Sequence, residues 1–127
     1  AILPQGDPGM TNLHQPDRSL MLWPDTTWGD QRLRYQDGMM LFDAQPSQQP
    51  AKWGYLNWQG WFSYVWQGIT LRKHFKSQPQ LPHPDLGCNV EFYINNQYLE
   101  LETLGPLVRL GPGESTWHEE LWEVNLG

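Results

Sequence analysis

Eleven prolines and twelve glycines are distributed along the 127 residues. Proline fixes φ and removes a backbone donor, and glycine raises the entropic cost of regular structure, so few stretches can carry a helix. No apolar period of 3.6 residues is sustained between these breakers. What lies between them alternates, or is rich in β-branched and aromatic residues, as strands are. The expected fold is therefore all-β, an antiparallel β-sandwich with little or no helix. The length suits one domain, residues 1–127, and suffices to bury a core.

Residues 1–18 contain Pro4, Pro8, Gly9 and Pro16 and are expected to form an extended N-terminal loop without a core pattern. The sandwich is expected over residues 19–127. Its first strand is residues 19–23 (SLMLW), stopped by Pro24. Residues 26–38 are polar and expected as a loop anchored by Trp28. Residues 39–42 form a second strand and residues 44–50 a flexible turn. Strands at 53–57, 61–66 and 69–75 follow, separated by Gln59-Gly60 and Gln67-Gly68 turns. Residues 77–87 hold three prolines and read as a loop. Residues 89–94 and 98–103 read as a hairpin around Asn95-Asn96. After the Gly111-Pro112-Gly113 turn, residues 116–124 form the closing strand.

Charge and cysteine content exclude several functions. The net charge of −6 argues against nucleic acid, which requires a basic footprint, and against an anionic membrane surface. No apolar run reaches transmembrane length, and no signal peptide is visible. The compartment stays open, cytoplasmic or exported. One cysteine, Cys88, permits neither an intrachain disulfide nor a two-cysteine metal site. No His-x-His or His-x-x-x-His spacing occurs, so neither metal nor cofactor is expected. Aromatic residues are abundant, with eight Trp, five Tyr and four Phe. Each ring is either core or a flat, amphipathic platform of the kind a sugar ring stacks on.

The stretch Tyr98-Leu99-Glu100-Leu101-Glu102-Thr103 places Tyr98, Glu100 and Glu102 on one strand face and Leu99, Leu101 and Thr103 on the other. Two carboxylates and a phenol on one face either meet solvent or line a cleft. His14 and His83 lie in loops and are expected at the surface. His74 shares a face with Arg72 and Lys76. His118 shares one with Glu120, a pair suited either to orienting a sugar or to a cross-strand hydrogen bond. Cys88 is expected as a small buried residue rather than a nucleophile.

The words around Glu102 carry a resemblance. Glu102-Thr103-Leu104-Gly105-Pro106-Leu107, then Leu110-Gly111-Pro112-Gly113-Glu114-Ser115, then His118-Glu119-Glu120-Leu121-Trp122 resemble the end of the aldose 1-epimerase (galactose mutarotase-like) superfamily. An uncharacterised bacterial branch is more similar still. It matches Leu22-Trp23-Pro24, Lys52-Trp53-Gly54, Gly60-Trp61 and the segment from Pro84 to Glu91 (PDLGCNVE), so the resemblance spans residues 19–124. It implies half of a supersandwich of two large antiparallel sheets, the C-terminal half, with a sugar on the concave face. Glu102 is then the general base that takes the proton from an anomeric hydroxyl. Lys52, Asp85 and Asn89 fall in the branch pattern and suit hydroxyl recognition. Trp61, Glu100 and His118 complete the candidate sugar-binding set. The His-Pro-Tyr-Phe-like motif that supplies the acid is absent, and His83-Pro84-Asp85 does not match it.

Three functions follow as expectations. The first is a carbohydrate-binding protein, with aldose-epimerase-like catalysis left open. The second is a non-catalytic structural or assembly protein: a half-domain leaves sheet surfaces uncovered, so a homo-oligomer, or a partner supplying the missing half, is expected. The third is a glycoside hydrolase pairing Glu100 with Glu102. It ranks lowest, because hydrolases set their two carboxylates across the substrate from each other.

Overall fold

The computed structural model describes residues 1–4, 6, 9, 14–45 and 49–127. Ten strands form two antiparallel sheets, and no helix occurs among the described residues. The chain is an all-β sandwich. The larger sheet contains β1 (Ile2–Pro4), β3 (Leu33–Gln36), β4 (Met39–Phe42), β6 (Trp61–Trp66), β7 (Ile69–Phe75) and β10 (Glu120–Leu126), in the order β10-β7-β6-β1-β4-β3. The smaller sheet runs β2 (Met21–Leu22), β5 (Ala51–Tyr55), β8 (Val90–Ile94) and β9 (Leu99–Thr103), in that order.

Period-two patterning builds the core. In β8, Val90, Phe92 and Ile94 turn inward, and Ala51, Trp53 and Tyr55 do so from β5. The larger sheet answers with Leu3, Met40, Phe42, Phe62 and Phe75. Phe42 meets Trp53 with ring centres 4.5 Å apart, and Phe62 meets Phe92 edge-on at 5.1 Å. Such aromatic pairs bury large areas and gain about 1 kcal/mol beyond burial alone. Leu99 and Leu101 pack against this core from β9, and Glu102 points the other way, toward Lys52.

Several expectations are corrected. Residues 1–18 are not all loop, because Ile2–Pro4 pairs with both β4 and β6 and Leu3 is fully buried. A strand of three residues ending in proline carries too little alternation to be recognised. Pro8 and residues 46–48 of the expected turn lie outside the described residues. Residues 26–38 are not all loop either. Leu33–Gln36 forms a hairpin with β4 through Asp37 and Gly38, at φ 52° and 74°. That Asp-Gly pair is the left-handed turn chemistry of a two-residue hairpin. Trp28 anchors nothing and is 84% exposed. The closing strand begins at Glu120, later than expected, and runs to Leu126. His83 is buried rather than at the surface, its Nδ1 2.9 Å from the Leu81 carbonyl.

Candidate functional site

The outer face of the smaller sheet gathers charge on an otherwise apolar scaffold. Register puts Glu91 opposite both Gly54 and Glu102, and Tyr93 opposite both Lys52 and Glu100. Residues directly opposite share a face, so Lys52, Glu91, Tyr93, Glu100 and Glu102 all point away from the core. Lys52 Nζ lies 2.7 Å from Glu91 Oε2 and 3.2 Å from Glu102 Oε2. It also sits 4.9 Å from the centre of the Trp23 ring, a cation–π distance.

Gly54 makes room for that ring. A Cβ there would stand 2.5 Å from Cys88 Sγ and 3.1 Å from the edge of Trp23. Gly54→Ala is therefore expected to lower unfolding stability by about 1–3 kcal/mol in urea titrations, with Cys88→Ala in the same chain recovering part of the loss. An unchanged midpoint would show that Trp23 does not lie against the sheet.

The two carboxylates differ in environment. Glu102 is partly open to solvent, whereas Glu91 is 2% exposed and its Oε1 is buried without a hydrogen-bond partner. Burial pushes the Glu91 pKa above the ordinary carboxylate range, and Lys52 opposes this. The neighbouring Asp85 carboxylate raises it further. Burial alone would lower the Lys52 pKa, but its hydrogen bonds to Glu91 and Glu102 outweigh that and raise it. Lys52 is thus held firmly as a cation. Cys88 sits beneath the site, its Sγ 3.2 Å from the Asp85 carbonyl, and burial pushes its thiol up to about 12. It is no nucleophile.

The segment that brings Asp85 to Glu91 turns sharply. Asp85, Leu86 and Gly87 all have left-handed φ, at 51°, 63° and 108°, and Gly87 N–H donates to the Pro84 carbonyl at 2.9 Å. For Leu86 this conformation is strained by about 1 kcal/mol or more, and its side chain is 92% exposed. Leu86 and Asp85 line a pocket of about 210 Å³ with Met21, Leu22, Trp23 and Pro24. A second hollow continues from it past Thr26 to Trp28. Trp23 borders both hollows, Trp28 borders the second, and Asp85 brings one carboxylate of the charged cluster to the first.

Not every candidate residue lies here. Trp61 is on the outer face of the larger sheet, across the sandwich, with the Arg72 guanidinium 4.5 Å from its ring. Asn89 is fully buried; its side chain accepts from Asn57 N–H at 2.6 Å and donates to the Asn57 carbonyl at 2.9 Å. It fastens β8 to the segment after β5. His118 precedes β10 rather than lying on it. His118 and Glu120 meet at the Thr103 hydroxyl, while Glu120 also binds Lys73 at 2.8 Å. Glu100 shares the outer face without joining the ion pairs described here. Glu91 and Trp23 are the residues that sequence reading left out of the set. Their signal was Glu91 interrupting an apolar alternation directly opposite Glu102.

No family model, curated protein or solved structure matches the chain.

Proposed function

We propose that the chain binds carbohydrate on the outer face of its smaller sheet, at Lys52, Glu102 and Trp23. The observation that carries this reading is the Lys52–Glu102 ion pair, partly open to solvent, with Lys52 Nζ 4.9 Å from the ring of Trp23, which itself lines a pocket. A sugar needs both kinds of surface. Its hydroxyls donate to a carboxylate and accept from an ammonium, and its C–H face stacks on an indole. The strained, exposed Leu86 on the same rim favours a ligand site, since such strain concentrates at ligand clamps. The resemblance to mutarotase-like sandwiches points to Glu102 as well. Lys52 already engages one Glu102 oxygen, and the His118 ring is turned to Thr103, so hydroxyl recognition is favoured over proton abstraction.

A glycan array followed by calorimetric titration of the best ligand tests the reading. Glu102→Gln is expected to weaken binding tenfold or more, about 1.4 kcal/mol, while leaving unfolding stability within about 0.5 kcal/mol. Failure of every sugar to bind, or equal affinity in the variant, would sink it.

A further inference from the structure

The larger sheet extends beyond the smaller one at its β10 end. On the inward-facing side of β10, Trp122, Val124 and Leu126 are 60%, 64% and 86% exposed, and register continues this surface through Ile69 to Trp66. The segment between β9 and β10 is mixed, exposing Leu107, Val108, Leu110 and Trp117 among Arg109, Glu114 and Glu119. Trp66, Ile69, Trp122, Val124 and Leu126 together present roughly 600 Å² of apolar area, at the upper end of the largest patch usual on a monomer and the lower end of one side of a stable dimer interface.

The backbone is open in the same place. β10 is the outermost strand of its sheet among the described residues, and its seven residues include neither lysine nor proline. Unpaired edge strands without such guards recruit another strand.

We infer that this end of the sandwich is a twofold interface with a second copy of the chain, made by β10 and the uncovered face of β6 and β7. Charge favours a second copy. The chain carries −6 overall, yet the charged residues this face draws from β6, β7 and β10 are Lys73 and Glu120, one of each sign. Lys73 is neutralised by Glu120 at 2.8 Å and also donates to the Leu101 carbonyl at 2.9 Å. Glu123, on the opposite face, is paired with His74 at 2.8 Å. The Lys73–Glu120 pair leaves the inward-facing side without net charge, so that side presents no unpaired charge to a second acidic copy. An antiparallel β10–β10 pairing is self-complementary, as a twofold axis requires. The surface is separate from the Lys52 cluster and does not rest on the sugar reading.

Sedimentation velocity from low micromolar to submillimolar concentration tests this, with hydrogen exchange on the β10 amides. The full chain is expected to form a dimer with β10 protected. Val124→Glu with Leu126→Glu is expected to raise the dissociation constant at least about a hundredfold and to unprotect β10. Val65→Glu, on the outer face of the larger sheet, should leave the dimer intact and controls for added charge. A well-folded monomer at the highest concentration would overturn the inference, as would a dimer indifferent to the β10 changes.

Discussion

Replacing Lys52 by Met is expected to cost about 3–5 kcal/mol of unfolding free energy at neutral pH, because it leaves Glu91 buried and unpaired. Glu91 is 2% exposed, and its Oε2 depends on Lys52 at 2.7 Å. Methionine preserves the aliphatic stem beside Trp23 and removes only the charge. The pH dependence identifies the cause. The pKa of Glu91 is raised in the folded chain from the ordinary 4.5, so the protonated form is the one that folding favours. Its contribution is complete below the unfolded value and is lost as pH rises through the folded one. Without Lys52 the folded value rises further, so the deficit of the variant should shrink as pH falls toward about 5. Adding Glu91→Gln should restore much of the stability at neutral pH. Urea unfolding of the single and double variants at both pH values makes the comparison. A loss below about 1 kcal/mol at neutral pH would mean that the pair is solvated, as surface pairs are.

The second large effect is expected at Asn57. Its side chain closes a turn by accepting from Gln59 and Gly60 N–H groups, both at 2.9 Å, and donates to Tyr55 Oη and the Trp61 carbonyl. Its backbone is held on both sides by the Asn89 amide, and its carbonyl also accepts from the Ser77 hydroxyl. This network ties β5, β6 and β8 together across the two sheets. Asn57→Ala strands several buried groups at once, so a loss of about 3 kcal/mol or more is expected from denaturant titration. Asn57→Ala and Asn89→Ala should be non-additive, because both side chains hold the same segment, Asn57 by closing its turn and Asn89 by gripping the Asn57 main chain. Additive losses would break the network into independent contacts.

The all-β architecture and most strands were legible in the sequence because alternation and turn residues act locally. Val90, Phe92 and Ile94 had to face one way, and Glu91 and Tyr93 the other. β1 and β3 were hidden for different reasons. β1 is three residues long and is a strand only because β4 and β6 flank it. β3 carries polar residues along one open edge of the larger sheet, and polar composition there reads as loop. The candidate site was legible in part. Lys52, Glu102 and Asp85 come together, because strand register and the turn at Asp85 carry them to one face. Trp61 and Asn89 were misplaced because a Gly-Trp pair and a loop asparagine look alike in a pocket and in a core. Burial of Glu91 was not legible, since alternation gives the direction of a side chain but not what folds over it. Trp23, from a distant segment, and Cys88, just before β8, both lie against Gly54, the residue opposite Glu91.

The eight indole N–H signals offer the most direct measurement. In a ¹H–¹⁵N correlation spectrum of a chain titrated with its best glycan-array ligand, sugar bound at Lys52 and Glu102 must shift the Trp23 indole and the Gly54 amide. Buried Trp53 and distant Trp61 should stay still. Shifts confined to Trp66 and Trp122, or none at saturating sugar, would contradict a carbohydrate site on the outer face of the smaller sheet.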